Sequence, residues 1–419
     1  MRKFSVLITL LIATFLIATT INVLVWDDAH TEAVKSLIKV FEKETGIKVN
    51  FEMLPSRSVL EKTAIGVSSQ KTDYDLVAID EPFIPQFSDL LLPYDEWPEG
   101  SKYKKPSLKV VLPEAFRAAE WKDVIRGLPI NGNVYVWMAR KDLIEKYQNE
   151  FKKEYGYDLG FPDTFDQLID MAKFFTKKGI YGFGPFTIKS EGATCEAIFM
   201  FESFGTSVLE LKDGKYKVVL DKEKAVKAIE FYKELLKYSP PGATAYGHSE
   251  RIAAFNQGKI FTMFQWPAII PSHENPDESL VAGKILYGSP PAGPEKRVAI
   301  RGCWILAIPK ASKNKKAAAE FAYWWASKEM GKKLVKAGMT PVREDLLLDP
   351  ELRSERPWFV AIFQSMKYAI ARPRFEKYPE VSDVIQRYWI SAVTGQITPE
   401  EAVDKMVEEI KNVLKKYGY

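Results

Sequence analysis

The sequence is poor in the residues that staple or metallate a fold. Its 419 residues include two cysteines, Cys195 and Cys303, and three histidines, His30, His248 and His273, set far apart. One bond between the two cysteines stays open, but a disulfide framework is excluded, and the histidines have no metal-ligand spacing. A phosphate loop and a serine nucleophile elbow are both lacking, and "GFGP" at 182–185 is too short to serve as a nucleotide motif. No cofactor is therefore expected. Charge of one sign is also lacking. The formal net charge is +4 and there is no basic tract, so nothing in the chain attracts nucleic acid. Tandem repeats and low-complexity linkers are absent, and beyond the N-terminal segment no apolar run is long enough to span a bilayer.

What is present is a long globular composition, 46% hydrophobic and 27% charged. A chain of this length exceeds one ordinary core and is expected to form two lobes. Abundant Lys, Glu and Arg with few Gln suit a heat-adapted source. The opening "MRKFSVLITLLIATFLIATT" has a basic start, an apolar run and small residues at its end, the layout of a secretory signal. Its ending is a poor cleavage site and its run is nearly long enough to remain as an anchor. Residues 1–20 are therefore read as a signal peptide or N-terminal anchor, and the remainder as extracytoplasmic, in the periplasm or at the cell surface. With no cysteine near residue 20, a lipoprotein anchor is not expected.

The mature part begins with an apolar strand, "INVLVW". A helix follows, "AVKSLIKVFEKETG", with Val34, Leu37, Ile38 and Phe41 at helical spacing and a stop at Gly46. "IKVNFEML" and "YDLVAID" read as further strands, so this first part is an α/β lobe with parallel pairing, whose ligands gather at the carboxyl ends of the strands. Trp26-Asp27-Asp28 and Asp80-Glu81-Pro82 stand at two such ends. A crossing into a second lobe is expected at "RGLPINGNVYVWMARKDLIEK", and a return at "AIRGCWILAIPKASKN". Thr164 or Asp163 is expected to cap a helix bearing Phe165, Leu168, Ile169 and Ala172 on one face. The stretch "AAFNQGKIFTMFQWPAII" reads as a helix end, a stop at Gly258 and a strand closing on Gln265, Trp266 and Pro267.

The motifs "VLVWDD", "FEKETGIKVNFEMLP", "YDLVAIDEPFIPQFSDLLLPYDE", "GLPINGNVYVWMARKDLIEK", "PDTFDQLIDMAKFFTKKGIYGF", "AAFNQGKIFTMFQWP", "GCWILAIPKASKNKKAAAEFAYWWAS", "GMTPVREDLLLD" and "VTGQITPEEAVDKM" run in this order across nearly all the mature chain. Together they resemble the extracellular solute-binding proteins of carbohydrate ABC transporters, the family that includes maltose-binding protein. The resemblance implies an α/β, two-lobe periplasmic-binding-protein fold with hinge strands and a ligand cleft between the lobes. Mapped onto this chain, one lobe would take 21–129 plus 305–345 and the other 130–304 plus 346–419. It further implies a monomeric receptor that captures an oligosaccharide or related carbohydrate and delivers it to membrane permease subunits, without catalysis.

A sugar needs aromatic plates and planar hydrogen-bonding groups. Trp26, Trp266 and Trp304 are the candidate plates. Asp27, Asp28, His30, Asp80, Glu81, Asn133, Arg301 and Arg374 are the candidate hydroxyl partners, with Gly302 and Tyr378 beside them. Several have plainer readings: Trp266 and Trp304 as core, Asp27 or Asp28 as a helix cap, and Arg372, Arg374 and Tyr378 as a solvated connection. Trp324 and Trp325 lie at core spacing in a helix and are left out. No residue between Tyr181 and Gly205 matches a pocket pattern. The alternatives are a glycan-active enzyme, which needs only two carboxylates at a set separation, and a receptor for a polyamine or ferric ion.

Overall fold

The computed structural model describes residues 19–68 and 70–419. Most of the signal or anchor read over 1–20 lies outside them. Among the described residues no helix is long and apolar enough to cross a membrane.

Two sheets organise the chain. In the first, Thr20–Trp26 pairs in parallel with Lys48–Leu54 on one side and Leu76–Asp80 on the other. Trp304–Ala307 runs antiparallel beside Leu76–Asp80, and Leu128–Pro129 closes the edge. Leu76–Asp80 and Trp304–Ala307 are buried at every residue, as their unbroken apolar runs require of strands covered on both faces. The helix expected over "AVKSLIKVFEKETG" is two, Ala29–Ser36 and Ile38–Thr45, broken at Leu37. The break leaves Leu37 and Ile38 half-buried while Val34 and Phe41 are fully buried. Gly46 ends the second helix in the left-handed conformation, φ +73°.

The second sheet has the order Ile285–Gly288, Val136–Arg140, Ile260–Gln265, Tyr181–Phe183. Its first two pairings are antiparallel and the last is parallel. Thr164 caps the helix Phe165–Lys177 by accepting from the Gln167 amide, and that helix buries Phe165, Leu168 and Ala172. Gly258, at φ +74°, turns the chain from helix His248–Asn256 into strand Ile260–Gln265. Trp324 and Trp325 are core residues of helix Lys315–Ala326.

The chain passes between the sheets in adjacent extended segments. The Ile130 amide donates to the Trp304 carbonyl at 3.1 Å, the Gly302 amide to Asn133 at 2.9 Å and the Tyr135 amide to Ile300 at 2.9 Å. A third segment, Ala369–Ile370, pairs in parallel with Ala299–Ile300. Trp304, assigned from sequence to the second lobe, opens a strand of the first sheet, because its backbone is already paired with Asp80.

Candidate functional site

The carboxyl end of the first sheet faces the second lobe across a cavity of about 670 Å³. Helix Ser56–Gly66 supplies Val59 and Leu60. The turn after Leu76–Asp80 supplies Asp80, Phe83 and Phe87, and Trp304 completes this wall. The opposite wall comes from Phe186 to Gly192, from His248 to Glu250 and from Ser382, Asp383 and Gln386. A ligand held here touches both lobes. Its surroundings alternate aromatic and aliphatic faces with a few fixed polar groups, the pattern of a small-molecule site. A wider groove of about 860 Å³, beside Lys141, Tyr287 and Trp358, holds none of the candidate residues.

At the back of the cavity a buried arginine joins the lobes. Arg372 donates to both Asp80 oxygens, from Nη1 at 2.8 Å and Nη2 at 2.6 Å, and Nη1 also reaches Glu191 Oε1 at 2.9 Å. Glu191 opens the helix Glu191–Ser203 and also accepts from the hydroxyls of Tyr378 and Ser382, the latter at 2.6 Å. Burial pushes the Glu191 carboxyl up, and the Arg372 charge opposes it.

Trp304 lines the cavity, and behind it Trp26 stacks with ring centroids 4.5 Å apart. Trp26 thus packs against Trp304 and does not itself line the cavity. His30 is fully buried between Trp26 and Trp325, at 5.6 and 6.0 Å, and among the described residues neither of its ring nitrogens has a partner. Desolvation lowers its pKa to about 3. Asp28 caps the helix Ala29–Ser36 by accepting from the Thr31 amide at 2.9 Å, and burial raises its pKa to about 6. Asp27 is exposed, and neither aspartate lines the cavity.

The remaining candidates are committed to the crossing segments. Arg301 forks between Glu81 at 2.8 Å and Glu114 at 2.5 Å. Asn133 takes the Gly302 amide on its carbonyl and keeps a buried, unpartnered Oδ1. Trp266 packs on Tyr135 at 4.2 Å and covers Gly302, away from the cavity wall. Its amide donates to Gln265 Oε1 at 2.9 Å, which also accepts from buried Arg251 at 3.3 Å. Arg251 lies 3.5 Å from Glu196, whose pKa burial raises to about 7. Arg374, expected to bind hydroxyls, donates instead to the carbonyls of Arg117 at 2.9 Å and Glu120 at 2.5 Å. Tyr378 is fully buried, with its hydroxyl on Glu191. Most polar atoms of these side chains bond to protein, because burying one without a partner is costly.

The cavity therefore brings together Asp80 and Trp304 and leaves the other expected residues off its lining, Asp27 exposed and the rest behind its walls or in the crossing. It adds Phe186, Ile188, Ser190 and Glu191, from a stretch in which the sequence showed no pocket pattern. The usable signal there was the polar Ser190-Glu191 step opening a mostly buried helix. Arg372, read as solvated, is buried because two carboxylates meet it. Cys195 and Cys303 are buried free thiols, so the bond between them is not formed, and burial pushes both thiol pKa values up.

The chain is similar to a probable ABC transporter-binding protein of Deinococcus radiodurans, 26% identical over 389 residues, 88% of each protein. In structure it is similar to maltose-bound MalE3 of T. maritima, with a TM-score of 0.80 and 29% identity over 94% of this chain and all of the other. A solute-binding protein of Thermotoga lettingae bound to α-D-tagatose gives a TM-score of 0.79 at 26% identity, over 94% of this chain and all of the other. The family model described as bacterial extracellular solute-binding protein matches residues 27–332. The paired sheets, the crossing strands and the cleft they frame are thus those of the bacterial extracellular solute-binding proteins, the family to which this chain belongs.

Proposed function

We propose that the protein is the extracytoplasmic sugar receptor of an ABC importer, capturing a carbohydrate by lobe closure and delivering it to the membrane permease. The cavity carries this reading: Trp304, Phe83 and Phe186 offer apolar faces to C–H surfaces, while Asp80, Ser190, Ser382 and Gln386 offer hydrogen-bonding groups to hydroxyls. Maltose and tagatose in the structural relatives support the same ligand class. A ligand touching both lobes binds the closed state better than the open one, and that difference alone shifts the population toward closure. Sheet membership supports lobes of 21–129 with 304–345 and 130–303 with 346–419. Binding without turnover, secretion or tethering by residues 1–20, and a monomeric receptor belong to the same reading.

The test is a thermal-shift screen of the mature chain against mono- and oligosaccharides, polyols, polyamines and metal ions. A ligand of the folded state at 100 times its Kd adds about 2.7 kcal/mol of stability. A neutral sugar or polyol should raise Tm and be recovered intact after long incubation. Stabilisation by a polyamine or a metal ion alone, or release of new reducing ends from a glycan, would overturn the reading.

A further inference from the structure

We propose that Arg372 is the charge selector of the cleft: by holding Asp80 and Glu191 together it reserves the cavity for uncharged polyhydroxy ligands and excludes cations. The inference rests on the sugar-receptor reading and narrows it to one charge class. Five carboxylates line the cavity, those of Glu61, Asp80, Glu191, Glu250 and Asp383. Three stand at the rim with partners of their own. Glu61 meets Arg57 at 3.0 Å, Asp383 meets Lys189 at 2.7 Å, and Glu250 accepts the Gly247 amide at 2.9 Å.

Asp80 is buried and Glu191 half-buried, deeper than these three, and they come from opposite lobes. Two unpaired carboxylates at that depth would be a strong attractor for an ammonium group, since a buried charge must find a counter-charge. Arg372 occupies that position. Its planar fork takes both Asp80 oxygens, and the same Nη1 spans to Glu191. The triad retains one formal negative charge. It rests on Glu191, whose oxygens are already engaged by Arg372, Tyr378 and Ser382. An incoming ammonium group would have to displace buried arginine contacts, at a cost of several hydrogen bonds, whereas a sugar hydroxyl can share the outer lone pairs of Asp80. Burial also lowers the pKa of His248 on the same wall to about 3, so it adds no charge. Discrimination then comes from leaving the wrong ligand without a partner as much as from contacts to the right one.

The experiment measures thermal shifts of wild type, Arg372→Gln and Asp80→Asn with spermidine and with glucuronate. Wild type should respond to neither. Arg372→Gln bares two carboxylates and should bind spermidine at least about tenfold more tightly than wild type. Asp80→Asn frees one edge of the guanidinium fork and should gain a response to glucuronate, which keeps the test decisive if Arg372→Gln does not fold. Spermidine stabilising wild type as strongly as Arg372→Gln, or no gain in either variant, would overturn the proposal. If the variants gain as expected and no neutral sugar binds wild type, the sugar reading fails alone. If a neutral sugar binds and the variants gain nothing, the charge selector fails alone.

Discussion

Gly302 lies against the ring of Trp266 so closely that a Cβ at that position would stand 2.9 Å from one ring carbon and 3.0 Å from the next. The ring cannot retreat freely, because Tyr135 packs on it at 4.2 Å and Gln265 holds its backbone amide. Two strands that cross between the lobes are therefore in contact through an aromatic face.

Gly302→Ala should accordingly destabilise the protein by roughly 1–3 kcal/mol through overpacking. Urea denaturation followed by tryptophan fluorescence measures this directly. An unchanged midpoint would mean that the ring has room the packing does not show.

Trp304 and Trp266 should separate in function. Trp304 is on the cavity wall, so Trp304→Ala should weaken sugar binding by roughly 1–3 kcal/mol, tenfold for about every 1.4 kcal/mol. Trp266→Ala should lower stability by roughly 3–5 kcal/mol and change affinity less. Calorimetric titration of both variants with whichever sugar stabilises wild type compares them, and a larger affinity loss at Trp266 would move the plate to that residue.

His30 should make the fold acid-sensitive. Its folded pKa of about 3 lies below the ordinary 6.5, so the unfolded chain binds a proton that the folded chain refuses. Its contribution to stability is unaffected above pH 6.5 and is lost as pH falls toward 3. His30→Leu keeps an apolar side chain between Trp26 and Trp325 and removes that proton. The fall in Tm from pH 7 to pH 5 should be smaller in His30→Leu than in wild type. His248 and His273 are lowered in the same way and remain in the variant, so the fall should shrink without vanishing.

Much of the framework was legible because its signals are local. Gly46 and Gly258 stop helices through their own backbone freedom, Thr164 caps its helix through its own hydroxyl, and "LVAID" is buried on both faces as an unbroken apolar run requires. The helix read over residues 33–46 begins earlier, at Ala29, and breaks at Leu37, where apolar periodicity continues but the backbone turns. The site was harder to read. Arg374 and Asp28 have the chemistry of ligand contacts, and their polar groups are taken by Arg117, Glu120 and Thr31. Phe186 and Ile188 look like ordinary core residues until the other lobe faces them across the cavity.

The sequence by itself determined the order of the main elements and the family resemblance, because periodicity, turn residues and motif order are written in neighbouring residues. Only the tertiary structure decided which charged groups face the cavity and which face each other. Asp80 and Arg372 are 292 positions apart, and no local pattern relates them. Their pairing depends on the path of the whole chain, which brings the end of one strand against a segment near the far terminus and buries both charges, so that each must satisfy the other.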